Sequence, residues 1–198
     1  MMTVRHIERL WNSKSYQRLF ADLVAARPEA TFAFDRELAT LPGVSALAII
    51  RLDELSQSHV PVYTRLVRTV LASQREDGGW GDLATTALCL RALLCGNGDG
   101  VAIERGLAWL ADLQKDEGIW PSAPLRRMPE DPLVSLFILF ELGDNPRFRH
   151  AVRFYDALTW FQRYCSELQR PAHAMWDRVK LRCGHWADAG KGASLFAA

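Results

Sequence analysis

Two segments of the chain repeat at a fixed distance. Gln74-Arg-Glu-Asp-Gly78-Gly-Trp80 and Gln114-Lys-Asp-Glu-Gly118-Ile-Trp120 share the pattern Gln-x3-Gly-x-Trp, and the matched Gln, Gly and Trp each lie 40 positions apart. Arg65 and Arg105 fall in the same register. A repeat of this length marks a supersecondary unit that cannot bury its apolar face alone and must stack on its neighbours.

The flanking sequence says what the unit is. Ala102, Ile103, Gly106, Leu107, Trp109, Leu110 and Leu113 recur at helical spacing, with Glu104, Arg105 and Asp112 opposite. Val62, Leu66, Val67, Val70 and Leu71 do the same against Arg65 and Arg68. Helices apolar on one side lie outside a layer. Ala84–Cys95 and Leu133–Leu142 are apolar nearly all round, so they are expected inside it. The alternation predicts inner helices at 44–57, 83–95 and 132–142, and outer helices at 61–73, 101–114 and 147–166. A degenerate inner helix is expected at 172–183 and an outer one at 14–26. Gln162 stands where a third motif would begin, but Ser166 and Leu168 replace its Gly and Trp. The expectation is one all-α domain over 1–198, an array of hairpins with clear repeats at 43–165 and degenerate ends at 1–42 and 166–198.

The motif residues have structural chemistry. Gly adopts positive φ at little cost and closes a helix C-terminus. Gln can reach backbone groups orphaned there, and Trp packs the turn onto the next helix. None of Gln74, Gly78, Trp80, Gln114, Gly118 or Trp120 supplies an acid, a base or a nucleophile.

Arg105-Gly106-x2-Trp109-Leu110-x3-Gln114-x3-Gly118-x-Trp120 resembles a complete QW motif of the squalene–hopene and oxidosqualene cyclases. Gln74 to Gly81 resembles a second copy, with Leu66 where the motif prefers Gly. The resemblance implies an α/α toroid, here incomplete or compact, with inner helices around an apolar cavity. It also implies acid-initiated cyclisation of an isoprenoid or polyene chain. Such an acid belongs to an Asp-x-Asp-Asp-Thr-Ala stretch at an inner-helix start, which this chain lacks. The nearest analogues are Glu130 and Asp131 before helix 132–142, and Asp82 ahead of Thr85-Thr86-Ala87. Trp80, Thr86, Phe137 and Phe140 are the candidate cavity wall. The Asp131-Pro132 and Asp82-Leu83 pairs are also good helix N-caps; the two roles are not exclusive, although a capping carboxylate is stabilised as its anion and makes a poor acid.

Other chemistries find less support. The Asp-x-Cys of prenyltransferase zinc sites and the Cys-Gly-Glu-Gln of thioester toroids are missing, and no metal site or cofactor is expected. Cys89, Cys95, Cys165 and Cys183 form no Cys-x2-Cys pair. With 24 Lys+Arg against 23 Asp+Glu, the charge offers no case for nucleic acid. No apolar run suits a membrane span and no signal-peptide stretch opens the chain, so a cytoplasmic protein is expected. Arg126-Arg127 is the only basic pair placed to meet a diphosphate, and a solvated loop explains it simply. The alternative to a cyclase-like enzyme is a non-catalytic repeat module that binds a lipid or a protein. Since six hairpins need on the order of 240 residues, either the ring is open, or a second copy or another protein completes it, or the terminal segments take unusual paths.

Overall fold

The computed structural model describes residues 39–96 and 98–193, with side chains as far as Cys183. Among these, eight α-helices and no strand are found. They are α1 (Leu41–Glu54), α2 (Pro61–Ala72), α3 (Leu83–Cys95), α4 (Gly100–Leu113), α5 (Pro132–Leu142), α6 (Pro146–Ala151), α7 (Phe154–Tyr164) and α8 (Arg170–Ala193). The outer helix proposed at 14–26 lies outside the described residues.

The layering follows the apolar pattern. Helices α1, α3, α5 and α8 pack side by side in that order; α2 covers α1 and α3, α4 lies on α3, and α7 lies on α8. Residues Leu83 to Leu90 of α3 are all buried, as are Val134 to Leu139 of α5. The one-sided α4 buries Ala102, Ile103, Gly106, Leu107 and Leu110 while Glu104, Arg105 and Asp112 face solvent. The degenerate helix expected at 172–183 is the start of α8, which buries Ala172, Met175, Trp176, Val179 and Cys183.

Starts are fixed by side chains that accept from orphaned backbone N–H groups. Asp99 caps α4 and Asn145 caps α6, while Pro61, Pro132 and Pro146 open α2, α5 and α6 with a preset φ.

The single outer helix expected over 147–166 is two helices. Val152 is extended (φ −122°, ψ 166°) between α6 and α7. The cause is distant in sequence: Gln114 Oε1 accepts from Arg153 N at 2.8 Å, and Gln114 Nε2 donates to Arg153 O at 3.3 Å. A helix running through 152–153 would need those backbone groups for itself. After Tyr164 the chain tightens into a 3₁₀ turn, Cys165–Glu167, and Gln162 lies exposed within α7. No third motif forms there.

The two motif copies share a set of hydrogen bonds. Gln74 Nε2 donates to Gly78 O and Gln114 Nε2 to Gly118 O, each at 2.8 Å. Gln74 also donates to Ala102 O in the next outer helix at 2.8 Å, as Gln114 does to Arg153. Trp80 Nε1 donates to Val70 O (2.7 Å) and Trp120 Nε1 to Leu110 O (2.8 Å). Gly78 (φ +97°) and Gly118 (φ +85°) occupy the left-handed region. A Cβ at Gly118 would sit 2.4 Å from Ala157 N and one at Gly78 2.6 Å from Arg105 O, so backbone of the next helix fills the space. Each motif therefore fastens one outer helix to the following one.

Gly106 shows why the first copy is incomplete. A Cβ there would meet Trp80 at 2.9 Å and Leu90 at 2.8 Å, so α4 needs Gly to ride over the indole of the preceding motif. The residue forty positions before Trp80 is Thr40, so no motif Trp precedes α2 in register, and Leu66 fills the place of Gly106, 8% exposed.

Between motif and inner helix the copies differ. Trp80 is two positions before the cap Asp82, but Trp120 is eleven before Asp131, an insertion of nine. Pro121 bridges to Glu130, Ser122 N donates to Pro129 O at 2.9 Å, and Asp131 N donates to Trp120 O at 2.9 Å. The insertion leaves and returns at one neck, so Asp131 resumes the path of Asp82.

Candidate functional site

The carboxylates singled out as acids stand at the N-terminal ends of α3 and α5. Asp82 Oδ1 accepts from Thr85 N at 2.8 Å and Oδ2 from Thr85 Oγ1 at 2.7 Å. Asp131 Oδ1 accepts from Leu133 N at 2.9 Å and Val134 N at 3.1 Å. Each of these contacts is a donor aimed at a carboxylate oxygen, the arrangement of an N-cap. Glu130 is exposed and takes Lys115 Nζ at 3.1 Å, so its carboxylate pairs with a lysine beside the cap of α5.

The mouths of these helices are closed by the motif itself. Thr86 Oγ1 accepts from Trp80 N at 3.0 Å and donates to Asp82 O at 2.7 Å. Ser135 Oγ accepts from Trp120 N at 2.9 Å and donates to Asp131 O at 2.8 Å. The hydroxyls of Thr86 on α3 and Ser135 on α5 thus link the motif Trp to the cap residue. Of the candidate cavity wall, Thr86 and Phe137 are 0% exposed and Trp80 3%. These three present almost no surface for a ligand to touch without repacking. Phe140 is half-buried, with the Arg182 guanidinium 5.2 Å over its ring.

A polar network at the opposite ends of the inner helices was not singled out in the sequence. Arg91 on α3 pairs through Nη1 with Glu141 on α5, and its Nη2 lies 3.3 Å from Glu54 Oε1 on α1. Glu141 is only 4% exposed. Burial alone would lower the Arg91 pKa; the charge and hydrogen bond of Glu141, helped by Cys95 and Glu54, lift it above its ordinary value. The signal was available: Arg91 and Glu141 are lone charges in otherwise apolar helices, and such residues need partners. Beside it, Arg182 donates to Asp144 Oδ2 through Nε (3.0 Å) and Nη2 (2.8 Å), tying α8 to the end of α5.

Two openings among the described residues lie on the outside. A cleft of about 440 Å³ runs between the end of α4 (Ala111, Asp112, Gln114), Arg126 of the inserted loop, and His150–Arg153. A second, of about 400 Å³, continues along Glu104, Pro146 and Arg147 and shares His150 and Ala151. Arg126 Nη2 donates to Asp116 Oδ1 at 2.9 Å, and Arg153 Nη1 reaches the same oxygen at 3.5 Å and Asp116 O at 2.7 Å. Arg147 pairs with Glu104 at 2.6 Å.

Among the described residues no three His, Cys, Asp or Glu side chains gather as metal ligands, and no helix is long and apolar enough to cross a membrane. The arrangement offers caps, buried staples and a surface cleft with convergent guanidinium groups. No protein-family model matches this chain, and neither curated proteins nor solved structures give a match.

Proposed function

We propose that this chain is a non-catalytic α/α repeat module that acts by binding a protein partner, rather than a small proton-initiated cyclase. The observation that carries the reading is the use of Asp82 and Asp131 as N-caps, each accepting two hydrogen bonds at an inner-helix start. A cyclase acid must hold a proton against a dry void in which an alkene can reach it. Glu130 is committed to Lys115 on the surface, and Thr86 and Phe137 adjoin no open volume. The same closure argues against a lipid between the inner helices.

Among the described residues the row α1–α3–α5–α8 reads as an arc of the toroid type. The outward flank of α8 is polar, with Asp177 paired to Lys180 at 2.7 Å and to His173 at 3.5 Å. A terminal repeat with a polar outer face is how stacked repeats end.

The test is incubation of the purified protein with squalene, farnesyl diphosphate and geranylgeranyl diphosphate, followed by mass spectrometry of the extracts. The proposal expects unchanged substrate in each case. A cyclised product formed by the wild type overturns it.

A further inference from the structure

We propose that the outer cleft between the Pro121–Glu130 loop and α6 binds an extended acidic peptide segment of the partner, with a ligand carboxylate held by Arg126 and Arg153. This deepens the binding-module reading and rests on it for the kind of partner.

The first support is internal. The repeat supplies its own reference, and relative to the Gln74–Asp82 copy the second unit has one addition, the nine-residue loop between Trp120 and Asp131. The outer helix is recast as α6 and α7 by the break at Val152, over a stretch only two residues longer than its counterpart, from Asp131 to Arg153 against Asp82 to Ala102. The loop and the break border one cleft, which Arg126 lines together with His150, Ala151 and Val152. The loop is not needed to complete a hairpin, since α3 and α4 manage without one. In repeat proteins, insertions that collect on one face mark the binding face.

The second support is shape. The two openings share His150 and Ala151; one meets α4 at Glu104 and the other at its end, Ala111, Asp112 and Gln114. Ten residues of helix span about 15 Å, the length of four to five residues of extended chain at about 3.3 Å each. The floor is small and apolar at Ala111, Ala151 and Val152, which lets a peptide backbone approach.

The third is the chemistry at the wider end. Two guanidinium groups already converge on one carboxylate oxygen, that of Asp116, whose side chain is 78% exposed. Exposed pairs of this kind are worth about 0–1 kcal/mol, so an incoming carboxylate can replace Asp116 at little cost. Arg126 uses only Nη2 and Arg153 only Nη1 in their bonds among the described residues, and a guanidinium has further donors in a planar fork. Asp112 and Glu104 on the α4 wall disfavour a continuous polyanion such as nucleic acid. A peptide that carries spaced carboxylates avoids them.

The experiment is fluorescence anisotropy of a fluorescein-labelled Glu-Ala repeat octapeptide titrated with the full chain, with a Lys-Ala octapeptide as control. Saturable binding of the acidic peptide alone, weakened by added salt, is expected. Arg126→Ala with Arg153→Ala leaves the backbone bonds of Arg153 to Gln114 in place and should weaken binding at least about tenfold. Replacing 121–130 by one Gly, after the Trp80-Gly81-Asp82 path, should do the same while keeping the helical circular dichroism; if that variant fails to fold, the double arginine variant decides. The proposal is overturned by no saturable binding to wild type, by equal binding of the Lys-Ala peptide, or by undiminished binding to the double variant. Displacement by inorganic phosphate as effective as by unlabelled peptide also overturns it, because it marks a general anion site. Failure here without isoprenoid turnover removes the cleft alone; turnover with peptide binding removes the non-catalytic reading and leaves the cleft.

Discussion

The Trp120 indole N–H donates to the carbonyl of Leu110 at 2.8 Å, ten residues back, with the ring 0% exposed and stacked 6.2 Å from Phe148. One side chain thereby seals the end of α4, the mouth of α5 and the start of the next outer unit. Trp120→Ala removes the ring and leaves Leu110 O without this donor. A loss of about 3–5 kcal/mol is expected for such a truncation. Urea melts of the purified variants measure it, and an unchanged midpoint would contradict the staple.

Gly118 lends the same staple its turn. Gly118→Ala should destabilise by at least about 1–3 kcal/mol from its positive φ alone, with a further cost where the new Cβ meets Ala157 N. Gly100→Ala is the control, because a Cβ there meets nothing within 4 Å. Thermal melts should separate the two by several degrees.

The network at the far ends of the inner helices makes a different prediction. Glu141→Gln leaves the Arg91 guanidinium in a mostly buried site with only the exposed Glu54 opposite. About 3 kcal/mol or more should be lost, since breaking one side of a buried pair strands the other. Arg91→Met with Glu141→Leu should cost less than the single change, because both desolvation penalties disappear together. Chemical denaturation of the two variants gives the comparison; a double variant worse than Glu141→Gln would show that the pair contributes through more than mutual neutralisation.

How much of this was legible follows from where each cause lies. The inner and outer helices could be read because burial on one side or all round is written in the spacing of apolar residues. The staple could be read because Gln, Gly and Trp act on backbone within or beside their own unit. The break at Val152 could not be read: it is imposed by Gln114, 39 positions earlier, and the segment itself is helical in pattern. Asp82 and Asp131 were ambiguous because a cap and an acid call for the same side chain at the same helix end; the structure adds the donors that make both of them caps. The Arg91–Glu141 pair was visible as two lone charges, without anything to say that they meet. The cleft was invisible because it forms where the inserted loop meets the break at Val152 in space.

Cys183 adds an alkaline signature. Burial first, then the charge of Asp144, push its thiol from an ordinary value of 9.0 up to about 11, against the opposing pull of Arg182 and Arg149. The neutral thiol is the species the fold accommodates. Its contribution is therefore whole below pH 9.0 and is lost as pH rises toward 11, because the unfolded chain ionises first. Between about pH 8 and about pH 10.5 the wild type should lose about 2 kcal/mol more stability than Cys183→Ala. Urea midpoints at the two pH values test it; parallel losses would mean that the thiol ionises freely in the fold.

The most direct measurement compares Asp131→Asn, Asp131→Ala and wild type for product formation on the isoprenoid panel and for thermal stability. Asn caps a helix as well as Asp, whereas Ala costs about 1 kcal/mol. The account predicts no product from any of the three, an unchanged melting temperature for Asp131→Asn, and a lower one for Asp131→Ala. Product formed by wild type and lost in a stably folded Asp131→Asn would contradict it, and would make Asp131 the acid of a working cyclase.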